Sequence, residues 1–459
     1  AASDVYKRQV ARNAIKNYPY SKYKEELEML ILKARYQEAS QSIEEKKADR
    51  FRDVVDEYYS FINGERRPGR ASQWCLTNDE LFELAAAKVD SIFRANPGMN
   101  IISISQNDSN FTYCRCEECE KVNQYEGAPS GNYIRFLNKL AERFPDKEFS
   151  TLAYLYTMHP PKHVKPRPNV NIMLCDIDCK REVPLTDNAS GRDFVRALEG
   201  WSAISDNLFV WDYGINFDNM LSPFPNFPIL QKNIQLFRRN HVTMHFSQIG
   251  GERGSCFPEM RAYMVSKLMW NPDLDSDSLM RSFMRGYYGA AAPHIYQYEK
   301  LLEGGLLASG KELWIYDSPV THKEGMLNGN CRRRYNELFD LAEAAVADDS
   351  VLLDRVRLSR LPLQYSELEI DRAEGVPDPA ATAARLALFE ERCRHFAIPI
   401  INERRNTPEE YCRLYRVRYM PDETRRPDLA RGARVVWIEA PSPKYVQLGE
   451  TAPVSYTHL

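Results

Sequence analysis

The chain has 459 residues, 43% of them hydrophobic and 27% charged, with a formal net charge of −3. That composition is ordinary for a globular protein, and the length exceeds one ordinary domain unless an α/β barrel takes up over half of it. The small net charge and a pI near 6.3 leave no electrostatic footprint for nucleic acid or an anionic membrane, and no apolar run approaches the ~20 residues of a membrane span.

Residues 1–9 and 454–459 resemble translated sequencing-adapter sequence, so both ends are expected to be truncations of a metagenomic fragment, with any signal peptide out of view. From Tyr20 to Phe61 the chain is rich in Glu, Lys, Ala and Leu and holds neither Pro nor Gly, so it predicts one or two helices in an atypical N-terminal segment, 1–70. Asn63-Gly64 and Pro68-Gly69 are turn signals. Trp74-Cys75-Leu76 reads as a short strand, and Thr77 or Asn78 as the cap of a helix over 79–94 that Asn96-Pro97-Gly98 stops.

Ile101 to Ser105 is a β-branched run suited to a buried parallel strand, and it ends in the polar cluster Gln106-Asn107-Asp108. A strand–helix rhythm follows. Strands are predicted at 149–156, 170–174, 208–211 and 242–246, with helices at 132–142, 191–205 and 229–240 between them. Six strands from 74 to 246, alternating with helices, predict a parallel sheet with crossover connections, and an α/β (β/α)8 TIM barrel over 71–290, with first strands missing, is the favoured fold. A doubly wound sheet is second, because no Gly-rich phosphate loop follows any strand. Helices at 258–270, 276–288, 293–301, 332–347, 352–369 and 380–394 predict a helical C-terminal region over 291–420, and Ala433 to Glu439 reads as the start of a truncated β-module at 430–459.

Five of the ten cysteines fall in two tight groups, Cys114, Cys116 and Cys119, then Cys175 and Cys179. The first three with Cys175 or Cys179 would make a closed four-sulfur zinc site, structural rather than catalytic. Disulfides between the groups and free thiols are the two rivals. A cysteine nucleophile is disfavoured, since no His accompanies the group. No organic cofactor is expected.

Together these pieces resemble a family of bacterial glycoside-hydrolase-like barrels filed as a domain of unknown function and related to α-glucuronidase and β-hexosaminidase barrels. The residues that carry the resemblance are Trp74-Cys75-Leu76-Thr77-Asn78, Ser103 to Asp108, the Cys114/Cys116/Cys119 group, Ser150 to Tyr154, Leu174-Cys175-Asp176 and Trp211-Asp212-Tyr213. Arg261-Ala262-Tyr263, Tyr287-Tyr288-Gly289 and Arg360 to Tyr365 also fit, so coverage runs from about 55 to 370. The resemblance makes the strand at 101 the fourth of a barrel and those at 208 and 242 the seventh and eighth. It implies a glycan substrate, polysaccharide degradation, and a secreted or periplasmic location. Two departures stand out. Residues 10–57 do not look like the first two barrel strands, and Ser247 stands where a glutamate is expected.

Glycoside hydrolysis by the commonest route needs two carboxyl groups, about 5–5.5 Å apart in retaining enzymes and roughly 6.5–9.5 Å apart in inverting ones. Candidates at predicted strand ends are Asp108, Asp176, Asp178, Asp212 and Glu252. Asp108 is the expected general acid, with a capping Asp as the bland alternative. Asp212, between Trp211 and Tyr213, is its expected partner, against a structural salt bridge. Only one of Asp176 and Asp178 is expected at the mouth, and Asp176 is favoured. Glu252, in a Gly-rich loop, is a substitute for the acid absent at Ser247. Asn107, Tyr154, Tyr156, Trp211 and Tyr213, with Phe217, are the expected sugar-binding wall. A non-catalytic glycan-binding barrel is the alternative function.

Overall fold

The computed structural model describes residues 57–68, 72–109, 112–249 and 253–420. The predicted helices before 57 and the β-module at 430–459 lie outside these residues, as does Glu252. Where description begins, the chain is not helical: β1 (Phe61–Ile62) and β2 (Glu65–Arg66) form a hairpin about Asn63-Gly64, both in the left-handed region that such a turn requires. Trp74 makes a lone antiparallel bridge to Tyr59 in place of the expected strand.

The helix α1 (Asp79–Ala95) starts at Asn78, whose side chain accepts from the Leu81 amide, and stops at Asn96. β3 (Ile101–Ser103) then opens a sheet completed by β4 (Glu148–Ala153), β5 (Val170–Cys175), β6 (Leu208–Tyr213) and β7 (Val242–Gln248). Each strand pairs in parallel with the next in chain order. Between them come α2 (Glu117–Glu126), α3 (Ser130–Arg143), α4 (Gly191–Ser202) and α5 (Phe227–Arg239). The sheet is thus mixed with many helices in an α/β arrangement, and the described residues supply five parallel strands rather than a closed barrel of eight.

The strand order bears on the two predicted architectures. A doubly wound sheet reverses its strand order at a switch point and carries helices on both faces. Here the order never reverses. Phe82 and Val89 of α1, Leu137 of α3, Phe194 and Leu198 of α4 and Phe237 of α5 share one apolar core with Phe149, Ile172, Leu174, Leu208 and Val210 of the sheet. All four helices therefore cover the same face, as in a barrel wall.

The opposite face carries Ile101, Met244 and Phe246, all exposed large apolar residues. Among the described residues β3 is therefore the outermost strand on its side, buried on one face only, and not the fully buried strand that its β-branched run predicts.

After β7 the chain is helical, with α6 (Pro258–Trp270), α7 (Ser276–Tyr288), α8 (Ala292–Ser309), α9 (Gly329–Ala345), α10 (Ser350–Ser359), α11 (Leu361–Ala373), α12 (Pro379–His395) and α13 (Pro408–Tyr419). The single helix expected over 352–369 is two, because Pro362 can start a helix but cannot continue one. This region is no loose appendage. Met260, Met264, Tyr288, Tyr298 and Phe339 share a core with Cys175, Tyr213, Ile215 and Phe217 from the strand ends. Among the described residues no helix is long and apolar enough to cross a membrane.

One buried acid staples the upstream half. Glu126, at the end of α2, has a fully buried side chain that receives Arg135 at 2.5 Å and the amides of His163 and Val164 at 2.9 and 3.0 Å. Burial alone would raise its carboxyl, but Arg135 and these amides hold it below the ordinary range. The folded-state value lies under the unfolded one, so its contribution is full above about pH 4.3 and fades as pH falls through the folded value. Glu126→Gln is expected to flatten the acid limb of stability against pH, measured by denaturant unfolding between pH 3 and pH 6. An unchanged limb would contradict this role.

Candidate active site and thiol centre

The downstream ends of β6 and β7 present aromatic rings on the face away from the helices of the sheet. Strand alternation sets this: Leu208 and Val210 of β6 point into the helix-covered core, so Trp211 and Tyr213 point the other way. Trp211 lies nearly parallel to Tyr213, with centroids 5.8 Å apart, and meets Phe246 edge-on at 5.0 Å. Tyr213 meets Phe217 at 6.0 Å, Phe217 meets Tyr316 at 5.9 Å, and Tyr316 meets Trp314 at 5.2 Å. Trp211 is fixed by its indole N–H, which donates to Gln248 Oε1 at 2.9 Å, and Trp314 by the Lys180 ammonium 4.3 Å over its ring. A continuous aromatic run thus crosses from the sheet into the helical region, and its second half, Tyr316 and Trp314, was not singled out in the sequence.

Carboxylates gather at this run. The Tyr316 phenol is pushed up to about 12, by burial first and then by Glu403, Asp218, Asp108 and Asp178. Asp108 is exposed and receives the Tyr154 hydroxyl at 2.9 Å. Burial and that bond push the Tyr154 phenol far up, which keeps it a donor. Asn107 is exposed and tied to the segment before Trp74: its amide N–H donates to Gln73 Oε1 at 2.8 Å, its carbonyl accepts from Gln73 Nε2 at 2.9 Å, and its side chain donates to the Ser72 carbonyl. Tyr156 lies apart from the run, stacked on Tyr113 at 4.8 Å and within 3.3 Å of the Tyr133 hydroxyl.

Asp176 and Asp178 exchange their expected places. Asp176 keeps to the covered face of Ile172 and Leu174 and is buried, whereas β5 ends at Cys175 and the turn that follows leaves Asp178 exposed at the rim. Crowding by the surrounding atoms raises the Asp178 carboxyl above its ordinary range, against a smaller pull from Lys180 and Arg181.

Asp212 also departs from expectation. It shares the helix-covered face with Leu208 and Val210, enclosed with Asn226, Asn233 and His245. Ser247 Oγ donates to it at 3.3 Å and His245 Nε2 lies 3.6 Å away. Asp176, fully buried, pairs with Arg181 at 2.8 Å and accepts from the Tyr213 amide at 3.2 Å. Burial drives Asp176 well up; for Asp212 the same burial is outweighed by His245, Arg181 and a bond from Asp176, and it falls below the ordinary range. Asp176 and Asp212, with Arg181 and His245 beside them, form a buried structural network beneath the mouth.

The thiols converge elsewhere, with a different fourth member. The sulfurs of Cys75, Cys114, Cys116 and Cys119 all lie within 4.8 Å of one another, an arrangement that could hold a metal ion. Cys75 is 3.7 Å from Cys116 and 3.9 Å from Cys119, far beyond a disulfide bond of about 2.05 Å. Cys175 packs in the core under Tyr213, and Cys179 sits against the Ser190 carbonyl at 3.9 Å, so neither joins the group. All ten cysteines are free. Without a metal the four thiols share protons: the bond with Cys114 leads in lowering both Cys75, to about 6, and Cys116, while Cys114 and Cys119 are pushed up in return.

Residues 5–300 match the family described as "Domain of unknown function (DUF4838)". The chain belongs to the DUF4838 family. Among solved structures, a mutant of the O-GlcNAc hydrolase from Thermobaculum terrenum is similar at 11% identity with a TM-score of 0.37, over 74% of this chain and 75% of that one. No curated protein matches. The matched span of this DUF4838 member takes in the thiol centre, all five parallel strands and Asp178, while Tyr316, Trp314 and Glu403 lie downstream of it.

Proposed function

We propose that the chain is a carbohydrate-active protein that hydrolyses a glycosidic bond in an oligo- or polysaccharide at the mouth formed by β4, β5 and β6. The carrying observation is the aromatic run from Phe246 through Trp211, Tyr213, Phe217 and Tyr316 to Trp314, in which Tyr213 and Phe217 are buried and the other four rings keep open surface, with carboxylates around Tyr316. Flat apolar faces edged by carboxylates match a sugar ring, which is apolar on its faces and hydroxylated at its rim.

In this reading Asp108 and Asp178 are the carboxyl pair. Asp178, with its carboxyl raised, is the proton donor to the leaving oxygen, and Asp108, fixed by Tyr154, is the carboxylate across the bond. Asp212 and Asp176 hold the strand ends in place. The five parallel strands are then the fourth to eighth of a barrel, an assignment supported by their unbroken order and one-sided helices. The thiol centre is a structural zinc site, and a secreted or periplasmic location suits a protein that meets glycan polymers.

A second reading, glycan binding without hydrolysis, is favoured by Ser247, whose hydroxyl is engaged with Asp212 where the resembled family leads one to expect a glutamate. A glycan-panel screen that records both binding and reducing-end release separates the two. The first reading expects release, and binding without release would establish the second. In either, Trp314→Ala is expected to weaken glycan binding by ~0.5–1.5 kcal/mol, roughly two- to tenfold, with an unchanged circular dichroism spectrum. Unaltered affinity would remove Trp314 from the platform.

A further inference from the structure

We infer that Cys75, Cys114, Cys116 and Cys119 form a closed four-thiolate zinc site that clamps the loop carrying Asp108. The use made of Asp108 rests on the proposed carbohydrate reading; the metal site and the clamp do not.

The geometry fits the ion. Zinc–sulfur bonds of about 2.3 Å in a tetrahedron put neighbouring sulfurs ~3.8 Å apart. Cys75 stands 3.7 Å from Cys116 and 3.9 Å from Cys119, and the remaining pairs are all within 4.8 Å. The surroundings suit thiolates as well. The Phe61 amide donates to Cys114 Sγ at 3.4 Å and the Arg66 guanidinium at 3.5 Å, so the hairpin supplies the outer bonds that orient a ligand. Cys116 caps α2 and Cys119 lies in its first turn, where the helix end favours negative sulfur. Four thiolates close the coordination sphere, which makes the site structural.

The clamp follows from what the same short segment touches. Residues 72–77 supply Cys75 to the metal and, two residues earlier, Gln73, which is buried and bonded twice to the backbone of Asn107. Ser72 accepts the Asn107 side chain. Asp108 is the next residue, and the loop then returns to Cys114. The Asp108 loop is therefore fastened at its start through Gln73 and at its end through Cys114 and Cys116, with Cys75 the common anchor. Removing the metal frees both fastenings together.

The test uses the full chain and two readouts that need no activity: metal content after gel filtration, and amide exchange over residues 104–109. One zinc per chain is expected, replaceable by cobalt with the absorption of a tetrahedral thiolate complex, and Cys75→Ser is expected to weaken zinc binding by more than about tenfold. Chelation is expected to speed exchange over 104–109 at least tenfold. Gln73→Ala should do the same while keeping its zinc, which separates the clamp from general unfolding. A purified chain that binds no zinc, or whose four thiols are paired as disulfides, would overturn the site. Zinc removal or Gln73→Ala without effect on exchange would overturn the clamp. A lack of hydrolysis on every glycan would bear on the carbohydrate reading alone.

Discussion

Asp178→Asn is expected to lower glycan hydrolysis by roughly 10²- to 10⁴-fold, the usual worth of a positioned proton donor, while leaving glycan affinity within about twofold. An amide keeps the size and polarity of the side chain but cannot donate a proton of the required acidity. The reasoning starts at Cys175, where β5 ends and the chain turns. That turn leaves Asp178 at the rim, desolvated enough to hold its proton more tightly. The rate should fall with rising pH as Asp178 loses its proton, and Asp178→Asn should abolish that limb. A variant with full rate and an intact basic limb would remove Asp178 from the mechanism.

Arg181→Met is expected to destabilise the fold by ~3–5 kcal/mol, because it strands buried negative charge rather than removing a balanced pair. Arg181 is almost wholly buried. Its guanidinium donates to the Tyr213 carbonyl at 2.7 Å, to the Asp176 carbonyl at 2.9 Å and to Asp176 Oδ1 at 2.8 Å, and also to the Cys179 carbonyl. Its own amide donates to the Leu313 carbonyl at 2.7 Å, the residue before Trp314. One residue, through its side chain and its backbone amide, thus joins the end of β5, the end of β6 and the start of the helical half of the aromatic run. Denaturant unfolding of Arg181→Met should show the lowered midpoint. Asp176→Asn should cost much less, because a neutral group at 176 still accepts from Arg181 and relieves its repulsion with Asp212. Equal losses in the two variants would mean that packing, and not stranded charge, sets the cost.

The regular parts of this fold are legible in the sequence for local reasons. Pro258 at a helix start, Asn271-Pro272 at its end, and the Asp275 side chain accepting from Ser278 set both ends of α6 and α7. The parallel strands follow from short apolar runs at regular spacing. α2 escapes notice because EECEKVNQYE has almost no apolar stripe, and α13 because its length is dominated by Arg and Tyr. Both are held by contacts that no local pattern reveals.

The site is less legible, in two instructive ways. Alternation along β6 already requires that Asp212 face away from its aromatic neighbours Trp211 and Tyr213, so the flanking rings counted against that residue as a mouth carboxylate. For Asp176 the same rule points to the covered face of Ile172 and Leu174, and residues 176 and 178, two apart, would share that face in a strand, so only the turn after Cys175 parts them. Cys75 shows the opposite limit. It lies in sequence far from the Cys114 group, and backbone bonds from residues 58–61 to both Cys75 and Arg115 bring it into contact, whereas Cys175 and Cys179 are paired by spacing and parted by the fold. Tyr316 and Trp314 carry no signal of their own beyond being aromatic, because their place in the run depends on Phe217 and Arg181 reaching across from the sheet.

The central claim is hydrolysis by carboxyl groups at the aromatic mouth. Its most direct measurement is the appearance of new reducing ends, followed by NMR on a panel of oligo- and polysaccharides, for the wild-type chain beside the Asp108→Asn/Asp178→Asn double variant. The account predicts release of one anomer by the wild type on at least one glycan and none by the double variant, which still binds that glycan. Equal release by both would contradict it.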